Sequence, residues 1–92
     1  MAQDVRIRNI DELRQFSSNL KNIGSQMSEI FHNLQNQLRL VSEGWTDDKS
    51  IKFSEEFDVE VKNIDTLSQK MIEHAIYLNR LCDIQDQYKS IR

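Results

Sequence analysis

The stretch "EGWTDDKSIKFSEEF", residues 43–57, contains the one point at which this 92-residue chain departs from a helical pattern. The chain has no proline and two glycines, and Gly44 directly precedes the only tryptophan, Trp45. Glycine readily adopts the left-handed conformation that ends many helices. We therefore expect Gly44 to close one helix and Thr46 or Asp47 to cap the next, with a turn at residues 43–45.

The half of the chain before this turn predicts one long helix over residues 10–42. Asn9 is its expected N-cap, with Glu12 three residues later. Two apolar rows with a period of seven form an a/d heptad seam: Leu13, Leu20, Met27, Leu34 and Val41, and then Phe16, Ile23 and Ile30. A flanking row contains Ile10, Ser17, Gly24, Phe31 and Leu38. Because glycine costs about 1 kcal/mol inside a helix, we expect Gly24 to mark the close approach of another helix.

The second half predicts a helix over residues 47–90 with the same period. One row contains Phe57, Ile64, Met71 and Leu78, and a second contains Phe53, Leu67, Leu81 and Tyr88, interrupted by Glu60 and His74. Val61, Ala75 and Cys82 widen the apolar face. A link this short makes the two helices antiparallel. The expected register places Leu20 opposite Met71 and Leu34 opposite Phe57.

The predicted fold is therefore an all-α antiparallel hairpin, which we expect to dimerise into a four-helix bundle. Two helices alone would leave much apolar surface in water, and the second helix is apolar on several sides between Met71 and Ile84. A partner hairpin would cover that surface, in a homodimer or a heterodimer with a paralogue. The residues expected in the core or the interface are Leu20, Met27, Phe31, Leu34, Phe53, Phe57, Ile64, Met71, Ile72 and Leu78.

Composition argues against several other classes of function. The net charge is −3 and no basic stripe is present, which disfavours nucleic-acid binding. No stretch is apolar enough for membrane insertion, and the N-terminus lacks the apolar region of a signal peptide. His32 and His74 fall far apart in the expected register, and no catalytic, phosphate-binding or metal-ligand motif is found. We expect neither an enzyme nor a cofactor, and we interpret Cys82 as a buried small side chain.

The central turn resembles that of the WXG family, the small helical-hairpin proteins of type VII (ESX-like) secretion systems. The matching residues are Trp45, Phe53 and Phe57, within "GWTDDKSIKFSEEF", and the likeness of length and architecture covers nearly the whole chain. Glycine follows the tryptophan by two positions in the family, whereas this chain has Asp47 there and Gly44 before the tryptophan. The resemblance implies export without a cleaved signal peptide and binding to a partner chain, a secretion ATPase or a toxin.

The export signal of that family, Tyr-x-x-x-Asp/Glu, is not found after either tyrosine. Leu81 follows Tyr77 by four positions, and Arg92 follows Tyr88. The signal is therefore absent, or it lies on a partner chain, or the protein is a cytoplasmic adaptor or structural hairpin that is not exported. For Trp45 two roles remain open: a lid over the end of the core, and an exposed recognition element formed with Gly44 and Asp47.

Overall fold

The computed structural model describes residues 5–90, without the side chains of residues 89 and 90, and it contains two long antiparallel helices in contact along their length. Helix α1 spans Ile10–Ser42 and helix α2 spans Asp48–Ser90. The predicted all-α hairpin is confirmed, and the expected ranges of 10–42 and 47–90 differ from the observed ones by one residue. The hairpin is a rod of 69 × 22 × 15 Å.

Side-chain oxygens cap both helix starts. The Asn9 Oδ1 atom accepts a hydrogen bond from the Glu12 backbone N–H at 3.1 Å, as predicted. Asp47, rather than Thr46, caps α2, because its Oδ1 accepts from the Ser50 N–H at 3.0 Å. Before α1 begins, the Gln85 side chain of α2 binds both backbone polar groups of Ile7. Its Oε1 accepts a hydrogen bond from the Ile7 N–H at 2.7 Å, and its Nε2 donates one to the Ile7 carbonyl at 2.9 Å.

The turn does not use the left-handed glycine that the sequence suggested. No glycine has a positive φ in the described part of the chain, so this prediction for Gly44 is wrong. Instead α1 tightens as it ends: the N–H of Gly44 donates to the Val41 carbonyl at 3.0 Å, and that of Trp45 donates to the Ser42 carbonyl at 3.3 Å. These hydrogen bonds to the carbonyl three residues earlier, the 3₁₀ pattern, satisfy carbonyls that the end of the helix would otherwise leave unpaired.

Small side chains form the contact between the two helices. The row of Ser17 and Gly24 in α1 packs against the row that contains Ser68 and Ala75 in α2. Among residues 5–88, all the buried residues are small or of moderate size: Ser17, Gly24, Ser50, Val61, Ser68, Ala75 and Cys82. The explanation expected for Gly24 is confirmed, because a Cβ atom there would lie 3.2 Å from the Ser68 carbonyl oxygen and 3.3 Å from the Met71 Cβ.

Two buried serines link the helices through backbone carbonyls. Ser17 Oγ donates to the Ala75 carbonyl at 2.8 Å, and Ser68 Oγ donates to the Gly24 carbonyl at 2.5 Å. Each bond satisfies a hydroxyl that would otherwise be buried without a partner, which typically costs about 1–3 kcal/mol. Because the two bonds join the helices at two levels, with one donor on each helix, they fix the register of α1 relative to α2.

The predicted centre of the helix contact is therefore wrong. The expected register is confirmed to within one residue, because Ser17 bonds to Ala75 and Ser68 bonds to Gly24. The a/d rows, however, were expected to meet between the helices, and none of Leu20, Met71, Leu34 and Phe57 is fully buried. The flanking row with Ser17 and Gly24 takes the centre instead. Its small members allow the helix axes to approach more closely than facing leucines would, and that approach moves the a/d rows to one side of the pair.

Gly24→Val should lower the free energy of unfolding by about 1–3 kcal/mol, because the added methyl groups must displace the Ser68 carbonyl. The control is Gly44→Ala. A Cβ at Gly44 meets only the Val41 carbonyl oxygen, at 3.9 Å, so this variant should be unchanged or slightly more stable. Urea unfolding followed by circular dichroism, at one protein concentration, compares the two. Equal stability of both variants would contradict the close contact at Gly24.

Candidate interaction surface

The two sides of the hairpin differ in chemistry. Side chains three positions after each member of the central row lie on one side of the helix pair, and those four positions after lie on the other. In α1 these are Leu20 and Met27 on the first side and Lys21 and Ser28 on the second. In α2 they are Ile64 and Met71 on the first side and Asp65 and Ile72 on the second. We call the first side the apolar face and the second the polar flank.

The apolar face extends over the full length of the hairpin and is open to solvent. On α1, the side chains of Phe16, Ile23 and Ile30 are 55%, 54% and 56% exposed. On α2, Phe53 and Leu67 are both 47% exposed. A single soluble chain rarely leaves so long an apolar surface uncovered, and such surfaces mark sites of interaction.

The structure brings most of the predicted core or interface residues to this face. Six are partly exposed on it: Leu20, Met27, Phe57, Ile64, Met71 and Leu78. Leu34 and Phe53 are exposed on it. The other two lie elsewhere: Phe31 continues the central row of Gly24, and Ile72 is on the polar-flank side, where its Cγ1 would be 3.5 Å from a Cβ at Gly24.

Ion pairs cross the polar flank near the open end of the hairpin. Arg14 Nη2 donates to Asp83 Oδ1 at 2.8 Å and to Asp86 Oδ2 at 2.7 Å. The hydrogen bond to Asp83, followed by that to Asp86, raises the pKa of the Arg14 guanidinium above its ordinary value. One arginine thus joins two successive turns of α2 to α1, which supports the register set by the buried serines.

A second polar cluster crosses the middle of the same flank. Asp65 of α2 accepts hydrogen bonds from Ser28 Oγ at 2.8 Å and interacts with His32 Nε2 at 2.8 Å. The Ser28 bond, and then the His32 contact, lower the pKa of the Asp65 carboxyl below its ordinary value. Nearer the turn, Gln35 Nε2 donates to Asp58 Oδ1 at 2.8 Å.

Aromatic rings gather at the turn. The Trp45 and Phe53 ring centroids are 6.3 Å apart with a 41° tilt, and the Phe53 and Phe57 centroids are 6.0 Å apart and stacked. Trp45 is 36% exposed. The indole therefore packs on the start of α2 while part of its ring faces solvent, so the geometry is compatible with both roles considered for Trp45. Of the other two predicted turn residues, Asp47 caps α2, and Gly44 is exposed.

An open cleft of about 380 Å³ lies beside Trp45, and Ile51 and Glu55 of α2 are among its other lining residues. A second cleft of about 260 Å³, lined in part by Arg39, shares Ser42, Ser54 and Asp58 with the first. Within the described residues, the buried Ser42 hydroxyl has no hydrogen-bond partner. The turn end is thus the one part of the helix contact that combines an exposed aromatic ring, open space and an unsatisfied polar group among residues 5–90.

Sequence reasoning missed the polar flank and the serine bonds. A signal for the flank was present, since Asp58, Asp65 and Asp86 share one heptad row of α2. For Ser17 and Ser68 no comparable signal exists, because a serine in a helix is equally compatible with solvent.

Other classes of site are not found in the part of the chain that the structure describes. Over residues 5–90, no group of three or more histidine, cysteine or acidic side chains is placed to hold a metal ion. Neither helix, over the same range, is apolar enough to cross a membrane. Comparison with protein-family models, curated proteins and solved structures finds no match to this chain.

Ser28→Ala should raise the pKa of Asp65, because it removes the hydrogen bond that lowers that pKa most. A carboxyl pKa below its unfolded value of about 3.9 contributes stability above that pH, which is lost as the pH falls through the folded-state pKa. In the variant this loss should begin at a higher pH. Carboxyl carbon chemical shifts measure the change directly, and Ser25→Ala, at an exposed position three residues away, is the control. An unchanged Asp65 titration in Ser28→Ala would contradict the assigned cause.

Proposed function

We propose that this chain is a non-enzymatic, partner-binding protein of the WXG type, exported by or associated with a type VII (ESX-like) secretion system. It acts by forming a helix bundle with a second hairpin, a second copy or a paralogue. A secretion ATPase or a toxin is the further partner that this class of function implies.

The uncovered apolar face is the observation that carries the proposal. Phe16, Ile23 and Ile30 form a row in which more than half of each side chain is in solvent. Covering a residue of this size fully contributes about 1.5–3 kcal/mol. A second hairpin with a face of similar length covers the whole row at once, as in a four-helix bundle.

The turn supports the more specific part of the proposal. Trp45, Phe53 and Phe57 are the residues that resemble the WXG pattern, and in the structure they form one ring cluster at the end of the rod. With its exposed edge and the neighbouring cleft, Trp45 offers a secretion component a site at the turn, outside the two helices that carry the apolar face.

A cytoplasmic adaptor that is not exported is the second candidate. The sequence observation that favours it is that neither Tyr77 nor Tyr88 is followed by an acidic residue at the fourth position. This candidate uses the same apolar face to bind a partner and requires no recognition of the turn. Export therefore separates the two candidates, whereas dimerisation does not.

Ile23→Asp should prevent self-association, because it places a charge in the middle of the apolar face. Sedimentation equilibrium at micromolar concentrations should show a dimer for the unaltered chain and a folded monomer for the variant. Val59→Asp is the matched control. Val59 is 58% exposed but lies two residues before the buried Val61, hence on the outer side of α2. A dimer that survives Ile23→Asp, or is lost equally in Val59→Asp, would show that another surface associates.

Trp45→Ala should abolish export while leaving the dimer intact, because the indole is 36% exposed and lies in the turn rather than in the apolar rows of the two helices. The assay compares secreted and cellular protein in cells that carry the cognate secretion system. Trp45→Phe, which keeps an aromatic ring on Phe53, should retain part of the export, and Tyr77→Ala, at another exposed aromatic residue, should retain all of it. Normal export of a folded Trp45→Ala variant would argue against recognition of the turn. An unaltered chain that is never exported would favour the adaptor.

A further inference from the structure

Two ionisable side chains interrupt the apolar face of α2 at symmetric positions. The exposed row that begins at Phe53 and passes through Leu67 contains Glu60 seven residues before Leu67 and His74 seven residues after it. Both side chains are exposed in the single hairpin. One is an acid and the other becomes a cation in weak acid, so the row is complementary in charge to a reversed copy of itself.

We propose that the apolar face binds a second copy of this chain in an antiparallel arrangement, with the two-fold axis at Leu67 and with Glu60 of each copy paired to His74 of the other. The inference rests on the proposed function, which requires the face to be covered, and it names both the occupant and the orientation. The two symmetric pairs make the association dependent on pH.

The orientation follows from the two ways in which identical faces can meet. A two-fold axis along the rod places α1 over α2 of the other copy, turn beside turn. Ser17 lies opposite Ala75 within one hairpin, and we take the same register between the two copies. In that register His74 packs against Phe16 of the second copy, and Glu60 packs against Ile30. An axis across the rod places α2 over α2, running in opposite directions, and there Glu60 and His74 can meet. Since an unpaired charge under an apolar side chain is costly, the antiparallel arrangement is favoured.

The position of the axis follows from the same row. With the axis at Leu67, the two copies of Leu67 meet, Phe53 meets Leu81, and Glu60 meets His74. A shift by one heptad places Glu60 opposite Leu67 or Leu81 and leaves His74 opposite Phe53 or Leu67. Leu67 also lies near the middle of α2, which spans Asp48–Ser90, so the register that pairs the charges is also the one in which the two hairpins overlap almost completely.

The other groups around His74 in this arrangement are few. On its own helix the charged neighbours are Lys70 and Glu73, and across the hairpin Phe16 and Leu20 of α1 are apolar. The facing helix of the second copy presents Glu60 and, one turn away, Glu56. The helix α1 of the second copy presents Ile30 and Leu34 at this level. Carboxylates therefore dominate the contacts that the second copy makes with the imidazole.

Protonation of the imidazole strengthens these contacts. Histidine is the side chain that gains a positive charge in weak acid, and a glutamate opposite it stabilises that charge. Association should therefore strengthen as the pH falls from 8 to about 5.5. Because two such pairs form in each dimer, we expect the dissociation constant to fall at least about tenfold over this range.

Sedimentation equilibrium of the full chain at pH 8 and pH 5.5 is the first test. The dissociation constant should fall at least about tenfold for the unaltered chain and should stay nearly constant for His74→Gln. His32→Gln, on the polar flank, and Lys70→Gln, beside His74, should keep the pH dependence. Loss of the pH dependence in either of these controls, or its survival in His74→Gln, would overturn the assigned pair.

Charge exchange between copies is the second test, at pH 5.5. His74→Glu alone places Glu60 opposite a glutamate twice, and Glu60→His alone places histidine opposite histidine twice, so each variant should self-associate at least about tenfold more weakly than the unaltered chain. Mixed together, the two variants form a complex in which every histidine faces a glutamate, and the association should return. The double variant Glu60→His with His74→Glu should also dimerise by itself.

The outcomes separate this inference from the function proposed above. A dimer that is indifferent to all changes at Glu60 and His74, or a mixture that fails to associate, would overturn the antiparallel pairing while leaving partner binding through the apolar face intact. A chain that remains monomeric at high micromolar concentration at both pH values would overturn self-association itself. The apolar face would then be a binding site for a different protein.

Discussion

The close approach of the two helices at Gly24 is the constraint on which the other features of this hairpin depend. A glycine in α1 and a serine carbonyl in α2 lie so near each other that a single added carbon atom would be in tight contact. Around that point, Ser17 and Ser68 each donate to a carbonyl of the opposite helix. Small side chains and polar bonds, rather than large apolar ones, thus hold the pair in register.

This arrangement determines where the large apolar residues lie. With the centre of the contact occupied by small residues, leucine, isoleucine and phenylalanine side chains such as Leu20, Ile23 and Phe16 are displaced to one side, where they remain partly or largely exposed. The opposite side is closed by Arg14 and Asp65 with their polar partners. The hairpin therefore has one exposed apolar side and one polar side, and Trp45 lies at the turn that joins the helices.

The sequence predicts the outline of this structure better than its interior. Heptad periodicity, the cap at Asn9 and the single break at Gly44 are local signals. They place both helices to within one residue and the turn to within two. The choice of the central row is not local. It depends on how closely the helices approach, and a row with Ser17 and Gly24 carries a weaker periodic signal than one with Leu20 and Met27. For the same reason the residues of the apolar face were predicted, but their position was not: they were expected between the two helices and lie on one side of the pair. The turn at Gly44 forms by tightening of α1, a route that its residue type does not reveal.

Cys82 acquires a particular significance from its place in the central row. It is the only cysteine of the chain, and its thiol is completely enclosed between the helices near the open end of the rod. A disulfide between two molecules, or attack by an oxidant, therefore requires the helices to separate locally at that end. Burial thereby protects this thiol from intermolecular cross-linking under oxidising conditions for as long as the hairpin stays folded. The rate at which a thiol reagent modifies the folded protein reports how often this end of the hairpin opens.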